Sequence, residues 1–313
     1  MTDYGVHLSR YLEQKLPDVI RQRFRPFRYE NGILVPTIAD LSPGAQVLVQ
    51  EQIEGRGQAA VVADQAFDIP LADYNVSETR DPVVAVFSSF HYTVRELQAA
   101  TFANQPLTDE RQRVARRAIA SRTNELTAFG SAQYGLTGML NDPLTPVDDT
   151  SFDPYAGATT AEDLVDFFVE KVAAVTDSTD ETEYPNHIEM AFRLWKQLSS
   201  KRLSGTAVSA IEHLRKLFSG EESGFSRMTF GTSPELKSEK LERYGVHSAG
   251  TNKDRIAVYP RSAEILDRHI EPTQVLETEY RNAQYIVPMY SCISGVRWKY
   301  PLAGRYVDVV KPA

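Results

Sequence analysis

The sequence has a single cysteine, Cys292, among 313 residues, so no disulfide can form within the chain. One thiol and no pairing partner fit folding in a reducing compartment. No apolar run approaches the roughly 18 residues of a membrane span. Residues 1–10 lack the basic-then-apolar order of a signal peptide. Lysine is scarce: it supplies 10 of the 34 strong cations, and none lies between Lys15 and Lys171. Arginine carries the rest, and its planar fork suits contacts to carboxylate and phosphate. Net positive charge is missing as well. A formal charge of −8 argues against a protein whose whole surface binds nucleic acid. The expectation is a soluble, intracellular, globular chain, long enough for roughly two domains and a core that needs no covalent staples.

Along the chain, residues 1–45 read as an arm. Arg10, Lys15, Arg21, Arg23, Arg25 and Arg28 face only Glu13 and Asp18 between positions 10 and 28, and Pro26, Pro36 and Pro43 discourage a long helix. Residues 46–92 hold two extended segments, 46–63 and 82–92, around a polar tip at 68–81, and predict a two-stranded ribbon. Such a ribbon is marginal in water without a partner surface. Thr93 and Glu96 form a capping box that opens a helix to about Phe102, and a second helix follows from Asp109 to Phe129. On its wheel Val114, Ala115, Ala118, Ile119, Leu126 and Phe129 share the apolar face, with Arg111 and Arg122 set inside it. Arg113, Arg116 and Arg117 share the opposite face with Asn124, and Gly130 stops the helix. Further helices are predicted at about 160–175, 188–199 and 206–218, and strands at 255–259, 284–289, 294–300 and 305–310. The fold class is α+β, with helices in the middle and strands at both ends.

Enzyme motifs fail one by one. Gly55-Arg-Gly57 is followed by no helical pattern that could hold a pyrophosphate, so it reads as a turn between strands. Gly224-Phe-Ser226 is half of a nucleophile elbow, and the P-loop, HExxH and EF-hand patterns are missing. His187-Ile-Glu189 and His269-Ile-Glu271 each place two metal-type ligands together on a strand, but the sequence names no third ligand for either. Asp148-Asp149 and the acidic run 177–183 read as solvated loops. No catalytic residue, metal or cofactor is expected. What remains are features of assembly: a basic arm, a ribbon too long to stand alone, and arginines inside an apolar helix face.

An ordered series of motifs then carries a family likeness. It runs Asp68-Ile-Pro-Leu-Ala-Asp73, Tyr92-Thr-Val-Arg-Glu-Leu-Gln-Ala-Ala100, Ala115-Arg-Arg-Ala118, Ala128-Phe-Gly130 and Tyr134-Gly-Leu-Thr-Gly-Met-Leu-Asn141. It closes with 250–259 and Gly304-Arg-Tyr-Val-Asp308. The series resembles the tailed-phage major capsid (coat) proteins of the Hong Kong 97 fold over about residues 45–310, with 150–235 departing from the pattern. The resemblance implies an N-terminal arm at 1–45, an extended E-loop at 46–92, and a peripheral domain with a spine helix at 93–134. It further implies an axial domain at 135–254 and strands returning to the peripheral domain at 255–313.

The implied function is a major capsid protein. Hexamers and pentamers of it would close an icosahedral head around double-stranded DNA, assembled in the bacterial cytoplasm and found in the virion. Implied partners are further copies of the chain, packaged DNA on the inner face, and portal, scaffold and cement proteins, without a membrane. Arg111, Arg122, Arg21, Arg23 and Arg25 are the candidate inter-subunit contacts; Arg113, Arg116 and Arg117 are the candidate DNA-facing residues. Some members of the fold weld subunits through an E-loop lysine. The lysine gap excludes that bond here and implies a non-covalent shell. An encapsulin-like compartment on the same fold is the nearest alternative, and a soluble hydrolase a more distant one.

Overall fold

The computed structural model describes residues 24–59, 71–102, 107–219 and 227–312. The first elements are the strands β1 (Thr37–Ile38), β2 (Val47–Arg56) and β3 (Asp73–Thr93). The turn from β3 into helix α1 (Val94–Phe102) is set by the expected capping box: the Thr93 backbone N–H donates to Glu96 Oε2 at 3.0 Å, and the Glu96 N–H donates to Thr93 Oγ1 at 3.2 Å. Helix α2 (Leu107–Phe129) ends at Gly130, whose φ of +65° is open to glycine at no steric cost. A Cβ on Gly130 would also lie 2.6 Å from the Gly138 nitrogen. Asn141 locks the turn. Its Oδ1 accepts from the Gly138 N–H at 2.7 Å, and its Nδ2 donates to the Phe129 carbonyl at 2.6 Å. The glycines and asparagine of the 128–141 motifs are thus one helix stop.

The middle of the chain supplies β4 (Val147–Asp149), α3 (Ala161–Ser178), β5 (His187–Met190), α4 (Phe192–Ser200), α5 (Ala210–Leu217), β6 (Thr229–Thr232) and α6 (Ser238–Arg243). The last part adds β7 (Lys253–Tyr259), β8 (Leu266–His269), β9 (Gln274–Val275), β10 (Glu279–Arg281), β11 (Gln284–Ser294), β12 (Arg297–Trp298) and β13 (Arg305–Val310). Residues 188–190, in β5, are strand where a helix is predicted. They lie between β6 and β7 and are buried throughout; His187-Ile188-Glu189-Met190 alternates polar and apolar residues, but four residues are too few to stand out against the helical run that follows. The 294–300 segment keeps only two residues of strand, while 284–294 is one long strand. No helix among the described residues is long and apolar enough to cross a membrane.

One mixed sheet, in the order β4-β13-β7-β5-β6, is covered on both faces. Its period-2 alternation sends Ile256, Val258, Val307 and Val309 toward α3, α4 and α5. Ala257, Tyr259 and Tyr306 point the other way, into a second core with Phe129, Met139, Leu266 and Trp298. Tyr29, Leu34 and Val35 are fully buried in that second core. Each such side chain contributes about 1.5–3 kcal/mol of burial. The segment that follows Arg28 is thus anchored in the chain's own core through Tyr29, Leu34 and Val35, and β1 adds a parallel strand to β8. Burial of the guanidinium of Arg268 completes the tie: its Nη2 donates to the Glu30 carbonyl and to Thr37 Oγ1, both at 2.8 Å.

The second large sheet runs β10-β11-β3-β2, with β9 also on β11. Its 21-residue strand β3 changes partner half way. Residues 73–82 pair with β2, and residues 83–93 pair with β11. The ribbon is thus β2 with the first half of β3, and the segment expected as a polar tip, from Asp73 to Asp81, is strand. Helix α2 packs on the β3–β11 half through Ala115 and Ile119 against Phe90, Val287 and Met289.

Candidate functional site

The ribbon is amphipathic, and the large side chains of its apolar side stay exposed among the described residues. Its register runs from Val47 opposite Pro82 to Arg56 opposite Asp73, and residues directly opposite share a face. Val47, Val49, Ile53, Tyr74 and Val76 fall on one face and keep 50–66% of their surface exposed. Gln50, Gln52, Ser77 and Thr79 fall on the other. Glu51 stands directly opposite Glu78 in the middle of the apolar face, and Arg80 on the same face pairs with Glu78 at 3.2 Å. Arg297 anchors the base. It donates to Asp267 at 3.0 Å and lies 3.7 Å from Asp81 on β3. Burial pushes the Asp81 carboxyl up, and Arg297 pulls it back.

Helix α2 carries the second surface. Of the six residues on its expected apolar face, Ala115, Ile119, Leu126 and Phe129 are buried, whereas Val114 is 69% exposed and Ala118 is also exposed. The wheel groups residues by angle, but the sheet is narrower than the stripe. Arg111 reaches back to α1: its Nη2 donates to Glu96 Oε1 at 3.0 Å and its Nη1 to the His91 carbonyl. That hydrogen bond, with the Thr93 N–H, holds the Glu96 carboxyl at about 2. Arg122 pairs with Glu125 at 3.1 Å one turn on, and Arg113 pairs with Glu110 at 3.3 Å. Arg117 lies over the rings of Phe24 and Phe27, 3.7 and 4.7 Å from their centroids. Arg116 is exposed. Arg25 pairs with Glu235 at 2.6 Å. Arg21 and Arg23 lie outside the described residues.

The residues considered for metal or acid chemistry are held in separate places. His187 Nε2 lies 3.1 Å from Glu189 Oε2, and Arg28 donates to Glu189 Oε1 at 2.7 Å. His269 contacts Asp40 at 2.6 Å, while Glu271 accepts from the Tyr290 hydroxyl at 3.1 Å. Asp148 is half-buried and paired with Arg305 at 2.7 Å and Lys171 at 3.4 Å, whereas Asp149 is exposed as expected and pairs with Lys253. Among the described residues no group of three or more histidine, cysteine or acidic side chains converges as a metal site. Extended surfaces are what the molecule presents.

A family model described as major capsid protein matches residues 57–310. The chain belongs to the major capsid protein family. It is a structural protein of a tailed-phage-like capsid, a component of the virion and not an enzyme. Solved structures agree on the fold. The capsid of the Myoviridae phage XM1 is 15% identical with a TM-score of 0.75, covering 96% of this chain and 98% of that one. The capsid of a native GTA particle is 11% identical with a TM-score of 0.65, covering 99% of each chain. A structure from Mycobacterium phage Ogopogo is 13% identical with a TM-score of 0.59, covering 97% and 98%. No curated protein matches the sequence. The capsid fold is the Hong Kong 97 fold that the motif series implied.

For a capsid protein the uncovered ribbon face and the arginines of α2 are the surfaces of interest. Sequence reasoning found the arginines but missed Glu51 and Glu78. Their signal, a glutamate interrupting the alternation of Val47, Val49 and Ile53, acquires meaning only once the pairing register is known.

Proposed function

We propose that this capsid protein closes an icosahedral shell from hexamers and pentamers of itself around packaged double-stranded DNA. The exposed apolar face of the ribbon carries the proposal: five large side chains on an unsupported two-stranded element need another copy to cover them. In this reading 1–45 is the arm, 46–92 the E-loop and 93–134 the peripheral domain with α2 as spine. Residues 135–254 form the axial domain, and 255–313 return to the peripheral domain. Arg111, Arg122, Arg21, Arg23 and Arg25 serve contacts between copies; Arg113, Arg116 and Arg117 face DNA. Portal, scaffold and cement proteins complete the particle, which assembles in the host cytoplasm.

The shell holds without E-loop cross-links, because β2, β3 and the rest of 16–170 contain no lysine. Electron microscopy of the recombinant chain is expected to show closed shells built of rings. Boiling those shells in detergent is expected to return a monomer of 35.1 kDa. A covalent ladder overturns the cross-link claim, and a monodisperse small oligomer overturns the shell itself.

A further inference from the structure

Among the described residues, Arg116 and Arg117 differ from every other arginine of α2 in having no hydrogen-bond acceptor and no carboxylate partner in the chain. Arg117 is nonetheless held in place by its contacts with Phe24 and Phe27. A guanidinium stacked on an aromatic face keeps its in-plane N–H donors free and loses little further freedom when an anion binds them. Both arginines open on one cleft of about 570 Å³, between residues 27–30, α2 and the 270–273 loop. Thr123 and Thr273 add hydroxyls to its lining, the Ser291 hydroxyl is already donated to the Glu271 carbonyl at 2.7 Å, and Glu30 is its one acid. Burial pushes the Glu30 carboxyl up, with Arg268 acting in the opposite direction.

Two donor forks and a set of hydroxyls around a cleft far larger than a carboxylate tip match an oxyanion with several acceptor oxygens and a bulky substituent. We infer that this cleft is a phosphate-binding site, occupied in the particle by a backbone phosphate of the packaged nucleic acid. The inference rests on the capsid reading and narrows it: Arg113, already paired with Glu110, lies outside the site. The contact carries no base readout, so it is independent of DNA sequence.

The test uses the full-length chain and a short fluorescent duplex, with binding measured across a salt series. Arg116→Gln and Arg117→Gln are each expected to weaken binding about tenfold near 0.1 M salt and to lower the salt slope by about one. Arg113→Gln leaves binding unchanged. Glu30→Gln tightens it, a gain that misfolding cannot produce. Inorganic phosphate added at constant ionic strength separates the sources. Release of wild-type duplex beyond that caused by chloride marks a site that also admits free phosphate, and its absence marks a site for backbone phosphate alone; both support the assignment. Equal losses for Arg113→Gln and Arg116→Gln overturn it in favour of a diffuse field. Arginine variants that bind duplex normally but form no shells overturn it in favour of a carboxylate from a second copy. If the wild-type chain forms no shells while duplex binding still depends on Arg116 and Arg117, the capsid reading fails and the site stands.

Discussion

A buried charge survives in this chain where two or three partners close on it. Asp308 accepts from Arg255 Nε and Nη2, both at 2.8 Å, and lies 3.0 Å from His247 Nε2. Burial alone would push its carboxyl up, but these bonds outweigh it and hold the group at about 2, against a usual 3.8. A lowered carboxylate contributes stability that is fully present above its unfolded value and is lost as pH falls through its folded value. The contribution is about 2 kcal/mol at neutral pH, fading from about pH 4 to pH 2. Asp308→Asn is therefore expected to flatten acid unfolding over that window, measured by urea melts at successive pH values. Gly231 plays the opposite part, by being small. It lies opposite Glu189 in the β5–β6 register, and a Cβ there would overlap Glu189 Oε2 and come within 2.9 Å of Arg28 Nη2. Gly231→Ala is expected to break the Arg28–Glu189 pair and cost about 3–5 kcal/mol, read from the shift in denaturation midpoint. Neither cluster is legible in the sequence, because Arg28 and Glu189 stand 161 positions apart.

At the scale of elements, local signals were readable and pairings were not. The capping box at Thr93 was visible because a side chain and the backbone it caps are three residues apart. The glycine stop of α2 was visible for the same reason. The partner switch in β3 was hidden, since both halves carry β-forming residues and nothing local tells which strand lies alongside. This matters for the ribbon, whose two faces are defined only by register. Ile53→Glu and Val76→Glu place charges on its exposed apolar face. Each is expected to change the unfolding free energy of the isolated subunit by no more than about 0.5 kcal/mol. Each is also expected to abolish shell formation, scored by sedimentation and electron microscopy. Variants that assemble normally would show that this face is not covered by another copy.

For the whole molecule, the net charge of −8 averages over unlike parts. Acidic side chains are paired in the interior and around β4, while Arg116 and Arg117 on α2 have no carboxylate partner among the described residues. An acidic subunit can therefore still present a cationic surface to a polyanion. Charge reversal at Arg122, which pairs with Glu125 one turn on, is expected to block assembly more than it perturbs subunit folding, checked by comparing particle yield with the thermal melt. Reversal at Arg111 should do both, because the same group ties α1 to α2 through Glu96.

By itself the sequence determined the α+β class, the capping box before α1 and the glycine stop of α2, the motif order that marks the capsid family, and the exclusion of a disulfide within the chain. These depend on composition or on residues a few positions apart. Tertiary structure alone decided that Tyr29, Leu34 and Val35 belong to the core, that β3 serves two partners, and that Glu51 faces Glu78. It also decided which arginines are already engaged. Each of these is a contact between residues far apart in the chain, and no local periodicity specifies which distant surface a side chain will meet.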